Sequence, residues 1–290
     1  PYENLVFGKT FTDYMLEVSW TEKEGWSKPR IVPYHNLELP PSTSSLHYAL
    51  QCFEGMKAYK SDDGNDVFLF RPEMNATRLN KSCARLGLPN FMNQEFIKCL
   101  AELVVLEKDW IPNQFGYSLY IRPTVISTEE TLGVLPPKSA LLYVIMSPVG
   151  PYFRTGFKPV KLLAEPKYVR AFPGGTGCVK LGANYGPTIL PQIEAADKGY
   201  SQVLWLYGEN FEVTEVGTMN IFFYWRNEKG EEELVTPPLS DIVLPGVTRD
   251  TIVSITRNEW GMKVMERTIT MKDVIKAIEE GRMIEAFGAG

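Results

Sequence analysis

One lysine stands in surroundings that suit covalent chemistry on a carbonyl. Lys180 lies in Phe172-Pro173-Gly174-Gly175-Thr176-Gly177-Cys178-Val179-Lys180-Leu181-Gly182-Ala183-Asn184-Tyr185, with no acid within ten positions on either side. Glycines permit close backbone approach and unusual dihedrals. In a dry setting desolvation favours the neutral amine, which is the form that Schiff-base chemistry requires. A phosphate-cradling G-x-x-x-x-G-K-[ST] loop does not fit, because Val179 precedes the lysine and Leu181 follows it. A glycine-rich turn with an ordinary lysine is the plain alternative. Three further segments carry usable groups. Glu215, followed by Val216-Gly217, reads as an acid at a strand end, placed to keep a pyridine nitrogen protonated or simply to face water. Leu244-Pro245-Gly246-Val247-Thr248-Arg249-Asp250 opens a helix, whose exposed N–H groups suit a phosphate unless Thr248 merely caps them. Arg71 and Arg78, seven apart on a helical pattern, offer charge-assisted bonds to a phosphate or surface salt bridges.

These groups need a scaffold, and the periodicity supplies one. Val67–Phe70 reads as a strand, and Pro72 opens a helix that carries Met74, Leu79, Cys83 and Leu86 and stops at Gly87. A second helix runs from about Gln94 to Lys108, with Phe96, Ile97, Leu100, Leu103 and Val104 as its apolar face. Tyr117–Ile126, Ala140–Met146 and Val160–Ala164 read as strands. Pro187–Ala196 is helical, Val203–Tyr207 and Phe211–Val216 form a hairpin around Gly208-Glu209-Asn210, and Asn220–Trp225 is a strand. Thr248–Trp260 and Lys272–Glu280 are helices. Ser147-Pro148-Val149-Gly150-Pro151 is the best linker, with turn-rich residues continuing to Pro159. The expected fold class is α+β, with a small domain over 1–149, a linker over 150–160 and a larger domain over 161–290.

Composition narrows the function classes. The chain has 290 residues, 44% apolar and 22% charged, and a net charge of −5, as an ordinary globular protein does. No basic block marks a nucleic-acid partner and no apolar run is long enough to span a membrane. Cys52, Cys83, Cys99 and Cys178 form no C-x-x-C, and His35 and His47 lie far from metal-ligand spacing, so no Cys/His metal site is expected.

Taken together, Gly174-Gly175-Thr176-Gly177 with Lys180-Leu181-Gly182-Ala183-Asn184-Tyr185, Glu215-Val216-Gly217-Thr218-Met219-Asn220 and Leu244-Pro245-Gly246-Val247-Thr248-Arg249 resemble the branched-chain amino-acid aminotransferases. Leu46-His47-Tyr48, Phe53-Glu54-Gly55-Met56-Lys57 and Tyr120-Ile121-Arg122-Pro123 match as well, in the family's order along nearly the whole chain, and closest to its eukaryotic type. The resemblance implies a two-domain fold type IV enzyme of the D-amino-acid-aminotransferase kind, with pyridoxal 5′-phosphate as cofactor. It implies transamination of leucine, isoleucine and valine with 2-oxoglutarate to give glutamate, in a ping-pong scheme through a Schiff base on Lys180. On the matching positions, Tyr185 bonds the cofactor's phenolic oxygen and Glu215 its pyridine nitrogen. Arg78, with Val247 and Thr248 in the Leu244–Gly246 segment, holds the phosphate, and Arg71 is structural. Thr218 lies near the substrate carboxylate and the ring.

The resemblance also implies a pocket that accepts both an aliphatic chain and a carboxylate. Phe7 (or Phe11), Tyr48, Tyr120 and Tyr152 are its aromatic wall, and Arg122 meets the γ-carboxylate, unless Arg122 is a strand arginine paired with an acid. Leu132-Gly133-Val134 is the loop lent by the second subunit of a homodimer. Apolar pockets separate chains that differ by one methylene by only ~10–200-fold, so all three branched substrates are expected. The alternatives are a D-amino-acid aminotransferase or aminodeoxychorismate lyase of the same fold, or a non-catalytic interaction protein. The chain begins at Pro1 without Met and stops at Phe287-Gly288-Ala289-Gly290, where the family continues with Thr-Ala. The natural protein is therefore expected to continue past Gly290, and cytosol and mitochondrion both stay open as locations.

Overall fold

Alternating apolar residues make Ser118–Ser127 and Ser139–Val149 the two longest strands of the chain. A computed structural model describes residues 5–151 and 158–290, and in it these strands pair antiparallel along their length. They centre an eight-stranded antiparallel sheet. Tyr14–Thr21 flanks Ser139–Val149, while Gln51–Phe53 and Met56–Lys60 flank Ser118–Ser127. Ser147-Pro148-Val149 is buried strand, in register with Tyr120, Leu119 and Ser118, not the start of a linker. Cross-strand packing there overrides a local signal that rests on turn-prone residues. Pro72–Arg85 and Asn93–Leu106 are helices, which bury Leu79, Cys83, Leu100 and Leu103. Cys52 and Cys83 lie buried with Sγ atoms 3.4 Å apart and unbridged. The bond to Cys83 and burial push the Cys52 thiol well above its usual range.

The second unit runs over Pro159–Val179 and Asn184–Gly290, while Lys180–Ala183 groups with the first. Within the second, Gln202–Tyr207 pairs antiparallel with Glu212–Val216 and parallel with Leu162–Glu165. A four-stranded sheet places Asn220–Arg226 between Glu232–Thr236 and Met283–Ala289. Val213, Ile221, Phe223, Trp225, Val235 and Ile269 fill its core. The helix Met271–Glu279 starts on a capping box between Thr270 and Asp273, and Val247–Asn258 starts after Gly246. The whole is α+β, with helices and largely antiparallel sheets in both units.

Candidate functional site

In the first unit the lysine is held by its main chain. Lys180 N donates to Ser82 Oγ at 2.9 Å, and Phe53 N donates to the Lys180 carbonyl at 3.1 Å. Leu181 bridges Cys52, so the segment runs beside the Gln51–Phe53 strand. Lys180 Nζ lies 4.9 Å from the Phe53 ring centroid and Arg122 Cζ lies 4.5 Å from the same ring. The Arg122 guanidinium donates to Tyr120 Oη through Nη2 at 2.8 Å and Nε at 3.2 Å. Among the described residues its hydrogen bonds go to a phenol and not to an acid. Phe7 meets Tyr120 edge-on at 5.0 Å, whereas Phe11 stacks on Tyr34. A Cβ on Gly55 would stand 2.3 Å from Tyr120 Oη, so glycine there makes room for the phenol. Phe7, Tyr120, Arg122 and Lys180 are thus linked through Phe53 and one another. Tyr48 Oη donates to the Leu132 carbonyl, at the start of the loop that exposes Val134. Tyr152 lies outside the described residues.

Arg78 sits on the Pro72–Arg85 helix and grips Glu54, with Nε 2.6 Å from Oε1 and Nη2 2.8 Å from Oε2. Glu54 is fully buried and also accepts from Asn75 Nδ2 and Gly55 N. Ser82, one turn after Arg78, donates to the Arg78 carbonyl at 3.0 Å while accepting from Lys180. One buried hydroxyl therefore joins Arg78 to Lys180. Arg71 does not share the helical face with Arg78; it occupies the position before the helix at φ 48°.

In the second unit Glu215 is the penultimate residue of the strand Glu212–Val216, with its side chain 3% exposed. Its Oε1 accepts from Leu244 N at 2.9 Å and Asn220 Nδ2 at 3.3 Å. Arg170 Nη1 lies 2.7 Å from its Oε2. A carboxylate so deeply buried needs such compensation. Val216 and Met219 exchange main-chain hydrogen bonds around Gly217, at φ 54°, and so present Thr218 at an exposed tip. Asn220 Nδ2 also donates to the Leu244 carbonyl, and a Cβ on Gly246 would stand 2.1 Å from Asn220 Oδ1. Gly246 caps the helix that begins at Val247 without a side-chain bond. Thr248, the second helical residue, is therefore not the cap; its hydroxyl donates to the Gly290 carbonyl. Val247 N–H and Thr248 N–H are among the four that a helix cannot satisfy itself. Asn184 Nδ2 donates to the carbonyls of Thr176 and Val179 and pins the glycine-rich loop just before Tyr185, which is half-buried.

Glu54, Phe53, Ser82, Asn184 and Arg170 are the groups that sequence reasoning did not single out as site residues. Ser82 had a signal, four residues after Arg78; the others become partners only in the fold.

Residues 51–280 match the family model described as amino-transferase class IV. The chain is 58% identical over 288 residues to the branched-chain-amino-acid aminotransferase of Dictyostelium discoideum, covering 99% of this chain and 75% of that relative. It is 53% identical to the cytosolic branched-chain-amino-acid aminotransferase of Mus musculus, covering 99% and 75% of the two chains. It is also 53% identical to the mitochondrial one of Bos taurus, covering 100% and 74%. Among solved structures it is similar to a branched-chain aminotransferase from Thermoproteus uzoniensis with norvaline, at a TM-score of 0.76 and 25% identity over 94% of this chain and 83% of that one. Among the described residues no helix is long and apolar enough to cross a membrane.

Proposed function

The chain belongs to the class IV aminotransferases, among the branched-chain-amino-acid aminotransferases, and from that membership we propose what its own residues do. It is a transferase that transaminates branched-chain amino acids. Pyridoxal 5′-phosphate, the cofactor of the class, supplies when bound an aldehyde that condenses with amines and a ring that takes up the electron pair left at Cα. The residues fit such a group. Glu215 is a dry, charge-compensated carboxylate, and the helix at Val247 starts without a side-chain cap.

In the first unit, Lys180 carries the cofactor. Once freed, its amine would take the proton from the substrate's Cα and deliver it to the cofactor's C4′, acting first as general base and then as general acid. Arg78, oriented by Glu54, contributes charge to the phosphate. Phe7, Tyr48, Tyr120 and Tyr152 line the aliphatic pocket, and Arg122 takes the γ-carboxylate of 2-oxoglutarate and glutamate. In the second unit, Glu215 bonds the pyridine nitrogen and Tyr185 the phenolic oxygen. Thr218 lies toward the substrate carboxylate. Val247 and Thr248 give main-chain N–H groups to the phosphate from a segment shaped by Leu244 and Gly246. The active form is a homodimer, and Val134 serves the second copy. Leu132 and Val134 are 66% and 75% exposed, an apolar loop that suits such a role.

The observation that carries the dual-substrate reading is Arg122, an arginine with hydrogen bonds to a phenol and a place over an aromatic ring. Reconstituted with pyridoxal phosphate, the protein is expected to form glutamate from 2-oxoglutarate with leucine, isoleucine and valine alike. Arg122→Met is expected to slow the 2-oxoglutarate half-reaction far more than the leucine half-reaction, each followed by stopped flow. Equal losses in both would remove Arg122 from substrate recognition.

A further inference from the structure

Arg170 is a buried charge in the second unit that the proposed roles leave unused. Its side chain is 4% exposed and its Nη1 lies 2.7 Å from Glu215 Oε2. Nη1 makes no aligned hydrogen bond among the described residues, so the contact is one of charge more than of directed bonding. Glu215 Oε1 accepts from two neutral donors, Leu244 N and Asn220 Nδ2. Guanidinium does not lose its proton in proteins, so this cation is permanent.

The charge has a consequence for a basic nitrogen placed beside Glu215. An acid and a base that share one proton in a dry site have two arrangements: neutral acid with neutral base, or anion with cation. Burial favours the neutral arrangement, and an opposite charge in contact with the carboxylate favours the anion. We propose that Arg170 is a positioning residue that keeps Glu215 anionic, so that the proton shared with the cofactor's pyridine nitrogen stays on the nitrogen. The inference rests on the role given to Glu215 above and adds the group that sets its charge.

The test uses the holoenzyme loaded with pyridoxal phosphate labelled with nitrogen-15 in the ring, without substrate. The nitrogen shift is read by NMR in the natural protein and in Glu215→Gln, Arg170→Met, Arg170→Gln and Arg170→Lys. The natural protein is expected to give the shift of a protonated ring at neutral pH. Glu215→Gln and the two neutral Arg170 variants are expected to move it toward the unprotonated value, and Arg170→Lys to restore it. Because the ring proton matters once electrons reach the ring, kcat for leucine falls in the neutral variants while KM changes little. A neutral Arg170 variant that keeps the natural shift, even with a lower melting temperature of its apoprotein, overturns the proposal and leaves Arg170 a merely structural ion pair. An unprotonated ring in the natural protein overturns it without any variant. An unchanged shift in Glu215→Gln instead removes the role of Glu215 itself.

Discussion

Ser82 is a small residue with two obligations. It accepts from Lys180 N and donates to the Arg78 carbonyl while fully buried. Ser82→Ala leaves the Lys180 N–H without its acceptor, which costs about 1–3 kcal/mol when a donor stays buried. The amine itself is untouched. The expected outcome is a fall in kcat for leucine of about tenfold or more, 1.4 kcal/mol being tenfold, with the cofactor still attached at Lys180. Steady-state kinetics with the absorption spectrum of the bound cofactor checks this. A variant with natural kcat would show that the main-chain clamp is irrelevant to the chemistry. The same scale explains Glu54: with Arg78 paired to it twice, the guanidinium has an orientation before any phosphate arrives.

At the scale of elements, the start of the helix Val247–Asn258 depends on Gly246. A Cβ there would meet Asn220 Oδ1 at 2.1 Å, and Asn220 is the residue that joins Glu215 to the Leu244 carbonyl. Gly246→Ala is expected to lower stability by about 1–3 kcal/mol, the usual cost of forcing atoms into a packed site, and to weaken cofactor binding. Calorimetry of the apoprotein and equilibrium dialysis with pyridoxal phosphate measure the two effects; natural values in both would contradict the account. The elements with clean periodicity were legible in advance: the helices Pro72–Arg85 and Asn93–Leu106, and the hairpin of Gln202–Tyr207 and Glu212–Val216. Lys180, Glu215 and the Gly246–Thr248 segment stood out because glycine, charge and helix-start signals are local. Tyr14–Thr21 did not stand out, since it buries Glu17, an acid accommodated by Arg30 and His35. Glu54 and Arg170 were illegible for a related reason: their partners, Arg78 and Glu215, are 24 and 45 positions away. No spacing rule connects such pairs before the chain folds.

Across the whole molecule, the two units do not follow a single cut of the sequence. Lys180–Ala183 groups with the first unit although the residues on both sides belong to the second. Lys180 is thereby tied to the sheet and helix that also hold Arg78 and Arg122, while Glu215 and Tyr185 belong to the other unit. Covalent attachment at Lys180 is the central claim, and it can be tested against every lysine of the chain at once. The holoenzyme is reduced with borohydride, digested and mapped by mass spectrometry. The account predicts that the phosphopyridoxyl group is found on the peptide carrying Lys180 and that Lys180→Ala abolishes both the label and transamination while the protein stays folded. A label on Lys57 or Lys198, with Lys180 unmodified, would contradict it.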